Sequence, residues 1–312
     1  MRIVVALGGN AMTATDGSST PDDQRAAIEE AAGHIATLVA AGHEVVVTHG
    51  NGPQVGNILL KNELSAHQLT PVSLDWCGAQ TQGTIGFTLM NALERQLAAA
   101  GSPRPVAALV SRTLVDPDDP AFAEPTKAVG PYRDAEHAAA MTEQGQSWRD
   151  EGDKGWRRTV PSPEPREIVD APAVEALVAR GFLVVSSGGG GIPVVASPTG
   201  GYEGIEAVID KDLTATLLSR QVDADLLVIA TDVENAVLRW GTPQARPIGE
   251  VDVVTMRRHI EEGEFGVGSM LPKVDAVTRF VEGGGPRAVV TSLPSIAEAV
   301  AGRTGTIVVP SA

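Results

Sequence analysis

The sequence predicts an α/β protein whose central sheet is mostly parallel and covered by helices on both faces. Short apolar segments alternate along the chain with longer segments of helical periodicity. Three of the apolar segments run directly into glycine-rich loops, and continuous apolar strands are typical of buried parallel sheets. Hydrophobic residues make up 43% of the 312 residues but aromatic residues only 4%. We therefore expect a core of Val, Leu, Ile and Ala.

The first predicted strand covers residues 3–7, a β-branched run that ends at Gly8. The helix after it is predicted over residues 21–41, with Thr20 as N-cap, Pro21 in the first turn and Gly42 just past the end. The other predicted strands are 44–48, 105–110, 182–186, 226–230, 288–291 and 306–309. The other predicted helices run from residue 52 to about 68 and over 75–100, 171–180, 211–220 and 273–281.

The segment 116–168 interrupts this alternation. Residues 116–131 are rich in Pro and Asp, and residues 148–165 mix Gly, Trp, Arg and Pro. We predict a single domain over residues 1–312 with a flap subdomain inserted at 116–168. No internal repeat and no low-complexity segment accompanies it.

The net charge of −15 argues against nucleic acid and anionic membranes as partners. Cys77 is the single cysteine, so an intrachain disulfide is impossible and a reducing compartment is expected. The apolar run at residues 3–7 is too short for the core of a signal peptide. No apolar stretch approaches the length of a membrane helix. We expect a cytoplasmic protein.

Three predicted strands end in glycine-rich loops, namely Gly8-Gly9-Asn10, Gly50-Asn51-Gly52 and residues 188–191. Ligands of open α/β sheets bind beyond the carboxyl ends of the strands, and glycine lets backbone N–H groups approach a phosphate. A plain turn explains any one such loop, but three together favour a phosphate site. The sequence contains no GxxxxGK[ST] motif, and no GxGxxG follows the first strand. P-loop enzymes are excluded and dinucleotide dehydrogenases are disfavoured.

Lysine is scarce, with five Lys against 19 Arg. Lys127 lies in the inserted segment, and Lys211 and Lys273 begin predicted helices. A helix N-terminus disfavours a cation, so both lysines are explained if they face one polyanion. A solvated surface position is the alternative, and we assign it to Lys61 and Lys154.

Other reactive classes have weaker support. The six His residues show no paired metal-ligand spacing, so no protein metal site is predicted. Ser186-Ser187-Gly188 is not the GxSxG of a hydrolase. Asp210 and Asp212 flank Lys211; either could orient the lysines or approach Mg²⁺, and helix capping is the alternative for at least one of them.

These residues lie in segments that together resemble the carbamate kinases of the amino-acid kinase superfamily. The segments follow one another in the order expected of that family over nearly the whole chain. They are VVALGGNA (4–11), HGNGPQVGN (49–57), LDWCGAQTQGTIG (74–86), PTKAVGP (125–131), GWRRTVPSPEP (155–165), SSGGGGIPVV (186–195), EAVIDKDLTA (206–215), VDADLLVIATDVE (222–234) and GSMLPKVDA (268–276).

The resemblance implies an open three-layer αβα sandwich of about eight strands, a protruding flap and a homodimer. It implies reversible phosphoryl transfer between ATP/ADP and carbamate/carbamoyl phosphate, with Mg²⁺ carried by the nucleotide. The expected direction is ATP synthesis, in arginine catabolism. The rivals are another kinase of the superfamily, such as acetylglutamate or uridylate kinase, and a nucleotide-binding sensor without catalysis.

The resemblance also assigns roles to individual residues. Lys127, Lys211, Lys273 and Asp210 are the expected catalytic residues. The carbamoyl phosphate side is expected to use Lys127, Gly8, Gly9, Asn10, Gly50, Asn51 and Gly52. The nucleotide side is expected to use Asp210, Lys211, Thr231, Asp232, Val233, Gly268, Ser269, Met270 and Lys273, with residues 235–251 near the adenine.

Overall fold

The structure is a computed structural model, and it describes residues 1–13, 20–266 and 270–311. The described residues form seventeen strands. These are β1 (Arg2–Leu7), β2 (Glu44–His49), β3 (Val106–Ala108), β4 (Arg112–Leu114), β5 (Lys127–Arg133), β6 (Ser147–Asp150), β7 (Trp156–Val160), β8 (Glu167–Ile168), β9 (Leu183–Val185), β10 (Ile192–Ala196), β11 (Tyr202–Gly204), β12 (Leu226–Thr231), β13 (Val237–Leu238), β14 (Arg246–Pro247), β15 (Glu250–Asp252), β16 (Ala288–Ser292) and β17 (Thr306–Val309).

The described residues also form nine α-helices. These are α1 (Pro21–Ala40), α2 (Gly52–Ser65), α3 (Leu74–Ala99), α4 (Ala135–Glu143), α5 (Ala171–Val178), α6 (Lys211–Gln221), α7 (Val253–Glu261), α8 (Leu271–Glu282) and α9 (Ile296–Val300).

Eight strands form the central sheet in the order β15-β17-β16-β12-β1-β2-β9-β3. The six strands from β16 to β3 are parallel, and β17 is antiparallel to β16. The predicted α/β class with a mostly parallel sheet of about eight strands is confirmed. Parallel strands need a crossover connection, and the alternating helices supply it.

Helices cover both faces of this sheet, as its central strand shows. In β1, Ile3, Val5 and Leu7 point into one apolar core, and Val4 and Ala6 point into the other. Helices α1, α3 and α9 pack over the first core, whereas α5, α6, α7 and α8 pack over the second. The apolar residues of both cores are almost all Val, Leu, Ile and Ala, as the composition predicts. A strand buried on both faces reads as a continuous apolar run, which is why β1 is visible in the sequence.

The parallel strands bring four loops to one edge of the sheet. Strands β12, β1, β2 and β9 are neighbours, and each ends at this edge in a polar or glycine-rich segment. Gly8 follows β1, Gly50 follows β2, Ser186 follows β9, and Asp232 follows β12. This is the edge where open α/β sheets bind their ligands.

Residues 127–160 form a three-stranded antiparallel sheet, β5-β7-β6, together with α4. In the described part of the chain, no strand of the segment 116–168 pairs with the eight-stranded sheet. Its last strand, β8, pairs instead with β4 in a separate four-stranded sheet. The division into one domain with a flap at 116–168 stays a prediction.

The start of α1 shows the predicted capping. The Thr20 hydroxyl accepts a hydrogen bond from Asp23 N at 3.3 Å, and Pro21 is the first helical residue. Gly42 follows the helix with a φ of +89°, a backbone conformation that disfavours other residues.

Candidate active site

Two cavities lie side by side at the carboxyl edge of the sheet. The first has a volume of about 250 Å³ and the second about 260 Å³. Lys273 lies on the wall of both. A molecule in the first cavity can therefore meet a molecule in the second at this lysine.

The first cavity, which we name the β12 cavity, is lined by both polar and apolar residues. Its polar residues include Thr231 and Asp232 at the end of β12, Glu264 and Lys273. Its apolar residues include Val237, Trp240, Phe265 and Met270. Apolar side chains beside a lysine suit a ligand that has an apolar group and an anionic group.

The second cavity, which we name the flap cavity, is lined by the glycine loops and by the start of the flap sheet. Its walls include Gly9 after β1, Asn51 and Gly52 after β2, Gly189 after β9, and Lys127 at the start of β5. Glycine at these places keeps backbone N–H groups within reach of a bound anion.

Three helix N-termini meet at the flap cavity. Residues 52–53 begin α2, residues 211–212 begin α6, and Pro272 and Lys273 lie in the first turn of α8. Each N-terminus carries the positive end of a helix dipole, although Asp210 already caps two N–H groups of α6. Their convergence creates a local positive potential in a chain of net charge −15, and it suits a phosphate group.

Asp212 holds two of the lysines together. Its side chain is almost completely buried and forms ion pairs with Lys211 and, at 3.9 Å, with Lys273. Burial is the main cause that lowers the pKa of Lys273, and Asp212 opposes it. One buried carboxylate shared by two lysines leaves part of their charge for a ligand.

Asp210 joins the flap sheet to helix α6. It caps α6 by accepting hydrogen bonds from Asp212 N at 2.8 Å and Leu213 N at 3.3 Å. Its other oxygen accepts a hydrogen bond from Lys127 Nζ at 3.1 Å. Burial would raise the pKa of Asp210, but Lys127 and Lys211 outweigh it and lower this pKa to about 2. The carboxylate is therefore ionised at any working pH.

Lys211 also lies against the glycine loops. A Cβ placed on Gly50 would be 3.3 Å from Gly9 N and 3.4 Å from Lys211 Cδ. The lysine stem thus packs over two glycine loops that follow neighbouring strands. A larger residue at position 50 would push the lysine or the loop away, which explains the glycine.

His49 lies beneath these loops rather than on a cavity wall. It is 1% exposed, and its Nδ1–H donates to Gly50 O at 2.8 Å. Burial lowers the pKa of His49 to about 4, so the ring is neutral. Its role is to support the Gly50 and Gly188 loops, since a Cβ on Gly188 would lie 2.2 Å from His49 Nε2.

The comparisons with known proteins decide the family. Residues 1–292 match the amino acid kinase family. The chain belongs to the amino acid kinase family. Carbamate kinase from Pyrococcus furiosus is 43% identical, and that from Thermococcus kodakarensis 45%, each over 99% of both chains. The structure of carbamate kinase from Giardia lamblia bound to AMP-PNP has a TM-score of 0.93 and 38% identity, covering 99% of this chain and 98% of that one.

These similarities confirm the resemblance predicted from the sequence, and they make the chain a phosphotransferase. They also agree with the αβα fold described above. No helix in the described residues is both long and apolar enough to cross a membrane.

The two cavities of this amino acid kinase divide most of the predicted site residues between them. The flap cavity collects Gly9, Gly50, Asn51, Gly52, Lys127, Asp210 and Lys211. The β12 cavity collects Thr231, Asp232, Val233 and Met270, and Lys273 lies on both. Gly8 is buried behind the loop and donates to Ala230 O at 3.0 Å. Asp210 and Lys211, expected on the nucleotide side, line the flap cavity.

Three predicted residues cannot be placed in full. Gly268 and Ser269 lie outside the described residues, and so does the side chain of Asn10. Their roles, like those of the other site residues, stay predictions.

Asp212 is the main site residue that the sequence analysis does not assign. The signal was present, since two carboxylates flank Lys211 at the start of a helix. The apolar residues of the β12 cavity have a weaker signal in the sequence. Val237 and Trp240 fall in the stretch 235–251, but Phe265 comes from a separate loop after α7.

Proposed function

We propose that this chain is a carbamate kinase, which transfers a phosphoryl group reversibly between ATP/ADP and carbamate/carbamoyl phosphate. The observation that carries the proposal is the presence of Lys273 on the walls of both cavities. We assign the nucleotide to the β12 cavity and carbamate or carbamoyl phosphate to the flap cavity. The proposal is supported by relatives named carbamate kinase that match the chain over 99% of its length.

In this proposal the protein aligns the two substrates and neutralises charge on the phosphoryl group in flight. Phosphoryl transfer needs in-line positioning and electrostatic stabilisation rather than a covalent intermediate. Lys211 and Lys273, held by Asp212, face the transferring group. The N–H groups of the glycine loops and the helix N-termini hold the acyl phosphate end. Lys127 leaves Asp210 to approach carbamate, whose oxygen is already anionic and needs no general base.

Mg²⁺ belongs to this proposal as part of the nucleotide substrate. In the described residues, no group of three or more His, Cys, Asp and Glu side chains could hold a metal ion. Mg²⁺ commonly binds through substrate phosphates and retains several waters.

We further propose that the reaction runs toward ATP, in the arginine catabolism of the cytoplasm. Carbamoyl phosphate is a mixed anhydride of carbamic and phosphoric acids, so its transfer to ADP is favourable. The single, buried Cys77 is compatible with a reducing compartment.

A homodimer is proposed from the exposed face of helix α3. Trp76 and Phe87 are 62% and 58% exposed, and with Gln80 and Gly83 they form one stripe at helical spacing. Large apolar side chains in such a stripe are typical of an interface. In size-exclusion chromatography with light scattering, we expect the purified chain to have the mass of a dimer. The double variant Trp76→Glu/Phe87→Glu should have the mass of a monomer. A wild-type monomer at micromolar concentration would contradict this proposal.

The deciding experiment is a coupled assay of ATP formation from ADP and carbamoyl phosphate. Turnover should require both substrates and Mg²⁺. N-acetylglutamyl phosphate with ADP tests acetylglutamate kinase activity, and UMP with ATP tests uridylate kinase activity. ADP binding in calorimetry without any turnover would indicate a nucleotide sensor instead.

A further inference from the structure

Helix α3 contains two buried polar side chains to which the proposed mechanism gives no role. Thr81 and Gln82 are 2% and 5% exposed, and they lie within the segment LDWCGAQTQGTIG. Neither lines the β12 cavity or the flap cavity, but each is hydrogen-bonded to a loop that borders the flap cavity. Buried polar side chains need hydrogen-bond partners, so the identity of those partners indicates their role.

Gln82 forms hydrogen bonds that connect helix α3 to two loop segments, at Ser111 and Gly188. Its Nε2 donates to Ser111 O at 3.1 Å and to Gly188 O at 3.0 Å, and its Oε1 accepts from Ser111 N at 2.9 Å. The Gly188 loop leads directly into Gly189 on the wall of the flap cavity. Helix α3 is therefore the support behind one of the glycine loops.

Thr81 fastens the Gly50 loop in the same way, through Asn51. Asn51 Nδ2 donates to Thr81 Oγ1 at 2.9 Å, and Thr81 Oγ1 donates to Gly78 O at 2.8 Å. A hydroxyl has one proton, and the Gly78 carbonyl can only accept. Thr81 Oγ1 must therefore accept from Asn51, which fixes the nitrogen end of the Asn51 amide on the helix.

The oxygen end of that amide remains for a ligand. Within the described residues, the Asn51 side chain forms this single hydrogen bond. Asn51 lines the flap cavity and packs against Gly189, where a Cβ would lie 2.0 Å from Asn51 Nδ2. Rotation of the amide would break the bond to Thr81 and bring two oxygen acceptors together.

The amino group of carbamate needs such an acceptor, because it carries two N–H donors. We propose that Thr81 is a positioning residue that holds Asn51 with Oδ1 available to this amino group. The inference rests on the proposed function, and it supplies a basis for selecting carbamoyl phosphate over acetyl phosphate. The methyl group of acetyl phosphate cannot donate a hydrogen bond.

The test removes the Thr81 oxygen while preserving the shape of the side chain. In Thr81→Val we expect KM for carbamoyl phosphate to rise roughly tenfold, the scale for a misdirected buried hydrogen bond. The Kd for ADP and the inhibition constant of acetyl phosphate should stay within about twofold of wild type. Thr81→Ser should restore KM. Thr88→Val is the matched control, since Thr88 Oγ1 donates only to Thr84 O of its own helix.

A double-mutant cycle with Asn51→Ala tests whether Thr81 acts through Asn51. If it does, Thr81→Val adds no further change to KM in the Asn51→Ala background. Thr81→Ala serves as the second variant if Thr81→Val has a lowered melting temperature. Unchanged KM in both Thr81 variants, failure of Thr81→Ser to restore it, multiplicative effects with Asn51→Ala, or an equal loss for acetyl phosphate would overturn the inference. Absence of wild-type turnover would instead overturn the proposed function, and this inference with it.

Discussion

At the residue scale, Lys211 and Lys273 are the side chains whose loss should affect turnover most. We expect Lys211→Ala and Lys273→Ala each to lower kcat roughly a hundredfold or more, the usual effect of losing one preorganised charge stabiliser. Both proteins should fold, because Asp212 keeps one partner in either variant. Lys61→Ala, on the exposed side of α2, is the control. Near-normal kcat in one of the two variants would remove that lysine from the mechanism.

Lys127 tests the assignment of the two cavities. It lines the flap cavity and pairs with Asp210. We expect Lys127→Ala to weaken binding and turnover of carbamoyl phosphate strongly and to leave the Kd of ADP nearly unchanged. Lys127→Arg should not restore activity fully, because a planar guanidinium on a longer stem cannot replace a compact ammonium. The measurements are steady-state kinetics and ADP calorimetry.

Two results for Lys127→Ala would contradict the assignment of carbamoyl phosphate to the flap cavity. A collapse of ADP affinity together with activity would place the lysine on the nucleotide side. Unchanged kinetics would make it a solvated surface cation.

The site residues show what a sequence can and cannot predict at this scale. The three glycine loops and the scarce lysines were visible because each has an unusual residue type at the end of a strand or the start of a helix. The partners of those residues were not visible. Asp212 could be recognised only as one of two carboxylates beside Lys211, since its bond to Lys273 joins positions far apart in sequence.

At the element scale, the contact between α2 and β5 controls where the flap sheet lies. Gly56 on α2 faces Gly130 on β5, and a Cβ on Gly56 would be 3.2 Å from Gly130 Cα. Gly56→Ala should therefore push β5, and Lys127 with it, away from the flap cavity. We expect a lower melting temperature and a KM for carbamoyl phosphate several-fold higher, with an unchanged KM for ADP.

Gly78→Ala provides the contrast for that variant on a second helix. Apart from the adjacent residues and backbone of its own helix, no described atom lies within 4 Å of a Cβ placed there. Ala is favoured over Gly inside helices by about 1 kcal/mol, so this variant should melt higher and keep its kinetics. Equal behaviour of the two variants would mean that the α2–β5 contact does not position the flap sheet.

Elements with strong local patterns were predicted, and elements that depend on distant partners were not. The strands buried on both faces were found within one or two residues of their observed ends. Strand β15 and helix α7 were missed. β15 is three residues long and pairs with β17 at the sheet edge. Helix α7 begins Val253-Val254, and β-branched residues are weak helix formers, although Asp252 accepts a capping hydrogen bond from Thr255 N at 2.9 Å.

At the scale of the whole molecule, His49 should make stability depend on pH. Burial lowers its pKa to about 4 in the folded state, from 6.5 in the unfolded state. Below pH 6.5 the unfolded chain takes up a proton that the folded chain does not. The free energy of unfolding should therefore fall between pH 6.5 and pH 4, by roughly 3 kcal/mol in total. Asp210 adds no pH dependence in this range, because its pKa is lowered in the folded state. Its contribution to the free energy of unfolding is lost only at more acidic pH.

The comparison of wild type with His49→Gln isolates this contribution. Urea unfolding at pH 7 and pH 4.5 gives the free energy of unfolding of each protein. The advantage of wild type over the variant should shrink as the pH falls. A constant difference between the two proteins at both pH values would contradict the burial of a neutral His49.

The overall architecture was accessible from the sequence because the rules that set it are local. Where a helix lies between two strands, it returns the chain to the starting edge of the sheet, and the two strands can then run parallel. The order of the strands was not accessible from that pattern. Strand β12 lies beside β1 although they are more than two hundred residues apart in the chain. The packing of both faces of β1, rather than a local signal, brings them together.

That pairing has a consequence for synthesis on the ribosome. Strand β1 is synthesised before β2 and β12, so β2 can pair with one of its edges early, but the other edge waits for β12. During that interval a strand of buried apolar residues exposes unpaired N–H and C=O groups. The ribosome adds roughly 5–20 residues per second, so the interval between β1 and β12 lasts on the order of ten seconds or more. The nascent chain is therefore most exposed to mispairing, and most in need of a chaperone, until β12 has emerged.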